Sequence, residues 1–61
     1  MTYKTGTVLY SPAKPYDKLG IVIKAFGSLR ETVWGGEGHM IFSIYFVESM
    51  IKAGNWVAYE I

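Results

Sequence analysis

Residues 19–34 decide the fold, and they read LGIVIKAFGSLRETVW. The first half has a β-branched centre, which suits a pleated strand better than a helix. Gly27 and Ser28 interrupt it, and a glycine at the first central position is typical of a type II′ hairpin turn. The second half begins with alternating apolar and polar residues, as a strand with one solvated face does. The stretch therefore predicts two antiparallel strands, 19–26 and 29–34, joined by a two-residue turn.

The flanking segments predict three more strands. Residues 6–10 form the first, which ends before Pro12 because proline cannot donate to a strand ladder. Residues 11–18 contain both prolines and predict a long loop. A glycine-rich connection (35–38) leads to a fourth strand, 39–47, which is apolar on both faces. Residues 48–53 predict a single helical turn followed by Gly54, and residues 55–61 predict the last strand.

Length and composition limit the protein class. The 61 residues form one domain, 1–61. Hydrophobic residues make up 51%, the net charge is +1 and cysteine is missing, which excludes a disordered chain and a disulfide framework. The densest apolar run, 40–47, is shorter than the roughly 18 residues of a membrane span, and no leader-type apolar core follows Met1. We therefore expect a cytoplasmic protein with no membrane partner.

The apolar half of the chain is also more than a small monomer can hide. A domain of this size buries only about 60% of the surface that its unfolded chain exposes. Composition therefore predicts that part of the apolar surface serves another molecule. Five short strands around one helical turn predict an all-β fold, and closure into a barrel would remove the exposed sheet edges.

The order of these elements resembles the SH3-like barrel, in which a long loop follows the first strand and a 3₁₀ turn precedes the last. Val8-Leu9-Tyr10 is similar to the first strand of eukaryotic SH3 domains, and Gly54-Asn55-Trp56-Val57 to their closing segment. The loop at 11–18 has no acidic cluster and the third strand does not begin with paired tryptophans. The resemblance therefore does not extend to recognition of proline-rich ligands.

Two related families share further motifs. Residues 19–22, LGIV, resemble the Gly-x-Val centre of KOW modules, which bind RNA or the transcription machinery, although Asp17 stands where those modules usually have glycine. The segments GTVLY (6–10), LGIVIK (19–24) and WVAYEI (56–61) are together similar to small SH3-like proteins encoded by tailed bacteriophages. That resemblance implies an accessory or regulatory protein in the host cytoplasm.

Residues that commonly carry catalysis are sparse. His39 is the single histidine and opens an apolar strand, so we expect an exposed strand-end residue rather than a base or a metal ligand. Glu31 and Glu37 flank the glycine-rich connection and are expected to be solvated charges that antiparallel pairing brings near each other. The connection lacks the Lys and Ser/Thr of a phosphate loop. We expect no catalytic or metal site, no cofactor and no enzymatic activity.

Aromatic residues are the informative class. Phe42 and Phe46 share one face of the fourth strand and are predicted to be core. Trp34 and Trp56 either cover the ends of the barrel or line a groove, and tyrosine and tryptophan are enriched at interface hot spots. The predicted binding surface consists of residues from the long loop and the strand ends: Tyr10, Lys14, Tyr16, Lys18, Trp34 and Trp56.

Charge is uneven along the chain. Residues 1–30 carry five basic side chains and one acidic, whereas residues 31–61 carry one basic and four acidic. Lys14, Tyr16 and Lys18 share the long loop, where they either hold a phosphate and stack a base or simply keep the loop solvated. Either the basic residues form a continuous patch for nucleic acid or an acidic partner, or the two halves interleave in a small barrel and the charges mix in space.

These observations favour a non-enzymatic module that binds a protein, or a second copy of itself, through aromatic surface. The alternative is a KOW-like module that binds nucleic acid. The first hypothesis predicts that Phe42→Ala unfolds the domain, whereas Trp34→Ala leaves the fold largely intact and weakens contact with the partner.

Overall fold

The computed structural model describes residues 2–12 and 16–60. Half of these residues lie in strands, which form one antiparallel sheet of order β4-β3-β2-β1-β5. The all-β class, with one helix before the last strand, is confirmed. The elements in chain order are β1 (Val8–Ser11), β2 (Lys18–Phe26), β3 (Leu29–Trp34), β4 (Gly38–Ser43), α1 (Ile44–Lys52) and β5 (Val57–Tyr59).

The hairpin at residues 19–34 forms as the sequence predicts. Phe26 pairs with Leu29 across the turn. Gly27 has φ +59°, and the φ of Ser28 is not positive. This sequence of signs is that of a type II′ turn. The pairing of β2 with β3 shifts between Val22 and Lys24, and such a bulge increases the local twist of the sheet.

The prediction that the sheet closes into a barrel is wrong, because the sheet is open. Strands β4 and β5 are its two edges, and in the described ranges β4 pairs only with β3 and β5 only with β1. Residues assigned to the second half of a long fourth strand instead enter α1. The strand left behind has six residues, and β5 has three. In the described residues these two edges do not pair with each other.

The predicted fourth strand, 39–47, is therefore wrong beyond Ser43. Ser43 has extended φ and ψ (−76° and 154°), and its hydroxyl accepts a hydrogen bond from the backbone N–H of Phe46, as an N-cap residue does. Beyond it, Ile44, Val47 and Ile51 recur at the spacing of one helical face. The helix has nine residues rather than the single turn predicted at 48–53.

The helix ends where the sequence predicts. Gly54 has φ +80° and donates its N–H to Ile51 O at 3.0 Å, while Asn55 donates to Met50 O at 2.9 Å. These two bonds make a Schellman motif, in which glycine adopts the left-handed conformation without the cost that a side chain would add.

The core lies between one face of the sheet, here called the inner face, and α1. Leu9 and Val22 supply its sheet side and Val47 its helix side, together with Trp34 and Trp56, which are only 5% and 7% exposed. The expectation that Trp34 is a surface residue whose loss the fold tolerates does not fit this burial. Phe46, predicted to be core, is exposed instead: it lies in α1 rather than on a strand face, and its ring packs edge-to-face on Trp56 with 43% of the residue exposed.

One charged side chain is buried beside this core. Arg30 is 3% exposed, and its guanidinium donates to the carbonyl oxygens of Thr2, Tyr3, Gly27 and Leu29 at 2.7–3.1 Å. A buried cation requires such partners. Arg30 therefore fastens the start of the chain to the β2–β3 hairpin, and its charge is taken away from the surface.

Candidate functional site

A cleft of about 340 Å³ opens on the inner face of the sheet, where α1 leaves it uncovered. Its walls come from the ends of β1 and β2, the β3–β4 turn, β4 and the first turn of α1. The lining residues are Ser11, Tyr16, Lys18, Trp34, Glu37, Met40, Phe42, Phe46 and Trp56.

The floor of the cleft is a cluster of aromatic rings. Trp34 and Trp56 lie 5.0 Å apart between ring centroids. Phe42 meets both tryptophans edge-on, at 6.5 and 5.3 Å, and stacks on Phe46 at 5.2 Å. Offset and edge-to-face rings at these distances attract one another beyond the area that they bury. The rings therefore hold one another in position.

The position of Trp34 depends on a glycine in the neighbouring strand. Gly20 pairs with Trp34 across β2 and β3, and a Cβ at Gly20 would lie 2.6 Å from Cδ2 of the indole. The ring therefore lies directly on the backbone of β2. Its Nε1–H donates to the Thr32 hydroxyl at 2.9 Å, and that hydroxyl donates to Met40 O at 2.8 Å. The indole is held by packing and by a satisfied polar chain.

The rim of the cleft is exposed and partly charged. Tyr16 is 78% exposed, and Met40 and Phe46 also face solvent. Lys18 forms an ion pair with Glu37, which joins the start of β2 to the β3–β4 turn. The cleft thus has an apolar floor with one positive and one negative group at its edge.

Of the six residues predicted to bind, the structure brings four together in the cleft: Tyr16, Lys18, Trp34 and Trp56. Lys14 lies outside the described residues. Tyr10 does not line the cleft. Its hydroxyl donates to Asp17 Oδ2 at 3.0 Å, and this hydrogen bond raises the pKa of the Tyr10 phenol above its ordinary value.

Sequence reasoning missed Glu37, Met40 and the exposure of Phe46. Met40 lies two residues before Phe42, so strand alternation already places both on one face. Nothing local in the sequence indicates that Glu37 reaches Lys18, since that contact depends on how β2 pairs with β3. The position of Phe46 in the helix could have been predicted by treating Ser43 as an N-cap, because the helix then starts earlier than residue 48.

The groups considered for catalysis have other contacts. His39 is exposed on β4, and its Nδ1 lies 3.0 Å from Glu31 Oε2. Glu31 and Glu37, the two carboxylates that flank the glycine-rich connection, have separate partners: Glu31 contacts His39, and Glu37 pairs with Lys18. Residues 2–12 and 16–60 contain no cluster of three side chains that could hold a metal ion. Over the same residues, no helix is long and apolar enough to cross a membrane.

Comparison of the chain with protein-family models, with curated proteins and with solved structures gave no match.

Proposed function

We propose that this protein is a non-enzymatic binding module that takes an apolar segment of a partner protein into the cleft. The observation that carries the proposal is the preformed floor, in which Trp34, Trp56 and Phe42 hold one another at centroid distances of 5.0–6.5 Å. A ligand that docks on rings already in place orders fewer side chains of the site, and so loses less free energy to ordering.

The rim supports a polypeptide as the partner. Aromatic residues and methionine are enriched in protein interfaces, and methionine adapts its shape to irregular ligands. Beside the apolar floor, Lys18 offers a donor and Glu37 an acceptor, so a bound segment finds partners for its backbone as well as for its side chains. The volume is at the lower end of the about 300–1,000 Å³ of ligand clefts, which suits a few side chains of a short segment.

Nucleic-acid binding is the alternative function, and the charges favour it less. Arg30 is buried on backbone carbonyls, and Lys18 is neutralised by Glu37. Tyr16 is exposed and available for stacking, but backbone recognition also needs cations to neutralise phosphates. The alternative predicts retardation of RNA or DNA in a gel at low salt, with affinity that falls steeply as salt rises.

The test selects peptides from a displayed random library against the immobilised protein, and then titrates one selected peptide into isotope-labelled protein. We expect the largest chemical-shift changes at the indole N–H of Trp56 and at the amides of Lys18, Glu37 and Met40. If the chain has the role that its bacteriophage resemblance implies, the natural counterpart of that peptide lies in a host or phage protein.

Two matched variants sharpen the test. Tyr16 in the cleft and Tyr45 on α1 are both highly exposed, at 78% and 72%, and Tyr45 does not line the cleft. Tyr16→Ser is expected to weaken peptide affinity about 5- to 30-fold, as loss of a moderate hot spot does, whereas Tyr45→Ser leaves it unchanged. Equal affinity of the two variants, or shifts confined to the opposite side of the sheet, would contradict the proposal.

A further inference from the structure

The face of the sheet opposite the core, here called the outer face, is apolar and uncovered. Register places Tyr59, Val8, Ile21, Val33 and His39 in one row across all five strands, and residues paired across strands share a face. Core residues of α1 pack against the inner face. The outer face holds seven of the twelve large hydrophobic residues exposed in the described chain: Leu19, Ile21, Phe26, Leu29, Ile41, Val57 and Tyr59.

We propose that the outer face is the interface of a homodimer, in which two copies pack sheet on sheet about a two-fold axis. This surface is separate from the cleft, so the proposal goes beyond the function proposed above and does not depend on it. Two facing sheets of this kind interdigitate their side chains at a separation of about 10 Å.

The area supports a second copy. Exposed fractions of 38–59% over seven large side chains amount to roughly 600 Å², which equals or exceeds the largest apolar patch of a typical monomer. A stable interface buries about 800 Å² on each partner. The patch supplies about three quarters of that area, and the half-buried Val8, Tyr10 and Val33 extend it.

The small core also supports a second copy. Only five hydrophobic residues of the described chain are buried: Leu9, Val22, Trp34, Val47 and Trp56. Domains below about 70–80 residues rarely draw enough stability from a single core, and oligomerisation is one of the usual supplements. Burial of the seven outer-face side chains would more than double the number of apolar side chains removed from water.

The charges of the outer face are compatible with its own copy. Lys24 pairs with Glu31 across β2 and β3, and Glu31 Oε2 lies 3.0 Å from His39 Nδ1. Lys24 and Glu31 thus form a cross-strand pair of opposite charge on this face, and the Lys24 Nζ also lies over the Phe26 ring, 5.7 Å from its centroid. This pair adds no net charge to either face, and a two-fold axis can set the lysine of one copy against the glutamate of the other.

The test measures mass by sedimentation velocity as protein concentration is raised. Wild type is expected to reach the dimer mass. Leu19→Lys, on the interior strand β2, is expected to raise the dissociation constant at least about 100-fold, because the dimer would bury an unpaired ammonium group. Tyr45→Lys, on the exposed side of α1, is the matched control and is expected to dimerise as wild type does.

Other outcomes overturn the proposal. A wild type that stays monomeric up to about 1 mM, where even weak specific association is populated, excludes the dimer. A Leu19→Lys variant that still dimerises places the interface elsewhere, for example at the β4 edge, because edge pairing does not use the side chains of β2. Monomers that float with phosphatidylcholine vesicles would assign the face to a lipid surface instead.

A second measurement does not depend on whether the lysine variant folds. In wild-type protein, a soluble paramagnetic agent broadens exposed methyl signals. The methyls of Leu19, Ile21 and Ile41 are expected to become protected as concentration rises, while the exposed alanine methyl at Ala53, beyond the end of α1, stays accessible. Methyls on the outer face that remain accessible at the dimer mass would refute the proposed interface, whatever peptide the cleft binds.

Discussion

Replacing Gly20 with alanine tests whether the floor of the cleft is as closely packed as its geometry indicates. The added Cβ would lie 2.6, 2.7 and 2.8 Å from Cδ2, Cε2 and Cε3 of Trp34. Carbon pairs pack best at about 3.5–4.0 Å. The methyl group therefore cannot be accommodated unless the indole ring or the β2 backbone moves by most of an ångström.

The surroundings of Trp34 oppose that movement. Its far side packs on Trp56 at 5.0 Å and on Phe42 at 6.5 Å, and its Nε1–H is tied to Thr32. Overpacking of such a site costs about 1–3 kcal/mol. Alanine also restricts the unfolded chain, which returns about 0.4–1 kcal/mol. We expect a net loss of about 1–2 kcal/mol, and a fall in Tm of about 5–15 °C for a domain of this size.

Gly35 provides the matched control. It follows Trp34 directly, its φ is not positive, and the nearest atom to an added Cβ would be Leu19 O at 3.9 Å. Gly35→Ala is therefore expected to leave stability unchanged or to raise it by about 0.4–1 kcal/mol through the unfolded state. Urea unfolding followed by far-UV circular dichroism measures both variants, because tryptophan fluorescence would respond to the substitution itself.

The reasoning is refuted if Gly20→Ala is as stable as Gly35→Ala. A double-mutant cycle gives a second check on the cause. In a Trp34→Phe background the smaller ring leaves space for the methyl group, so Gly20→Ala should cost less there. A coupling free energy of at least about 0.5 kcal/mol is expected. Additive effects would mean that the glycine acts through something other than the indole.

Four further predictions follow from the same packing and hydrogen bonds. Trp34→Ala is expected to destabilise the domain as strongly as Phe42→Ala, by about 3–5 kcal/mol, since Trp34 is the more buried of the two. Thermal or urea unfolding measures both variants. If Trp34→Ala folds and Phe42→Ala does not, Trp34 is a surface residue after all. Replacement by valine should have opposite effects at the two fully buried threonines. Thr7→Val is expected to raise the free energy of unfolding by about 1 kcal/mol, because the Thr7 hydroxyl has no partner in the described chain. Thr32→Val is expected to lower it by about 1–3 kcal/mol, because the Thr32 hydroxyl is hydrogen-bonded to Trp34 and Met40. Ser43→Ala removes the helix N-cap and should lower the free energy of unfolding by about 0.5–2 kcal/mol. Hydrogen exchange at the Phe46 amide should become faster, and unchanged exchange would show that Ser43 does not cap the helix. The hydrogen bond to Asp17 raises the pKa of Tyr10 above 10.0, so the bond contributes fully to stability below that pH, and its contribution is lost as pH rises through the folded-state pKa. Tyr10→Phe should therefore reduce the loss of stability that wild type shows at alkaline pH. An equal loss in the two proteins would show that the bond is not formed.

Local signals predicted the hairpin at residues 19–34, because turn chemistry and β-branched residues act within a few positions of each other. The same kind of reasoning failed at residues 44–47. A run in which nearly every residue is apolar fits a period of 2 and a period of 3.6 equally well, so periodicity cannot choose between strand and helix. The deciding signal was Ser43, a single polar residue at the point where the helix starts.

The residues of the cleft were predicted only in part. Aromatic composition identified Trp34, Trp56 and Tyr16 as candidates, and all three line the cleft, whereas Tyr10 does not. The sequence did not show that both tryptophans are buried while Phe46 is exposed. The exposure of Phe46 follows from the start of α1 at Ser43, whereas the burial of Trp34 depends on the register of β2 against β3, which sets Gly20 opposite Trp34 and lets the indole pack on the backbone. Register of this kind is specified by long-range pairing and not by neighbouring residues.

The excess of apolar residues divides between two surfaces on opposite faces of one sheet, and this arrangement has a consequence for binding. A dimer formed through the outer faces leaves both clefts open, because each lies on the inner face of its own copy. The two clefts then point away from each other, with two sheets between them. A partner that presents two copies of the recognised segment on separate chains would be bridged, whereas a single short segment would occupy one cleft without gaining avidity. The proposed dimer and the proposed cleft binding thus use separate surfaces, and a variant at Leu19 should change the valency of binding while leaving the affinity of each cleft unaltered.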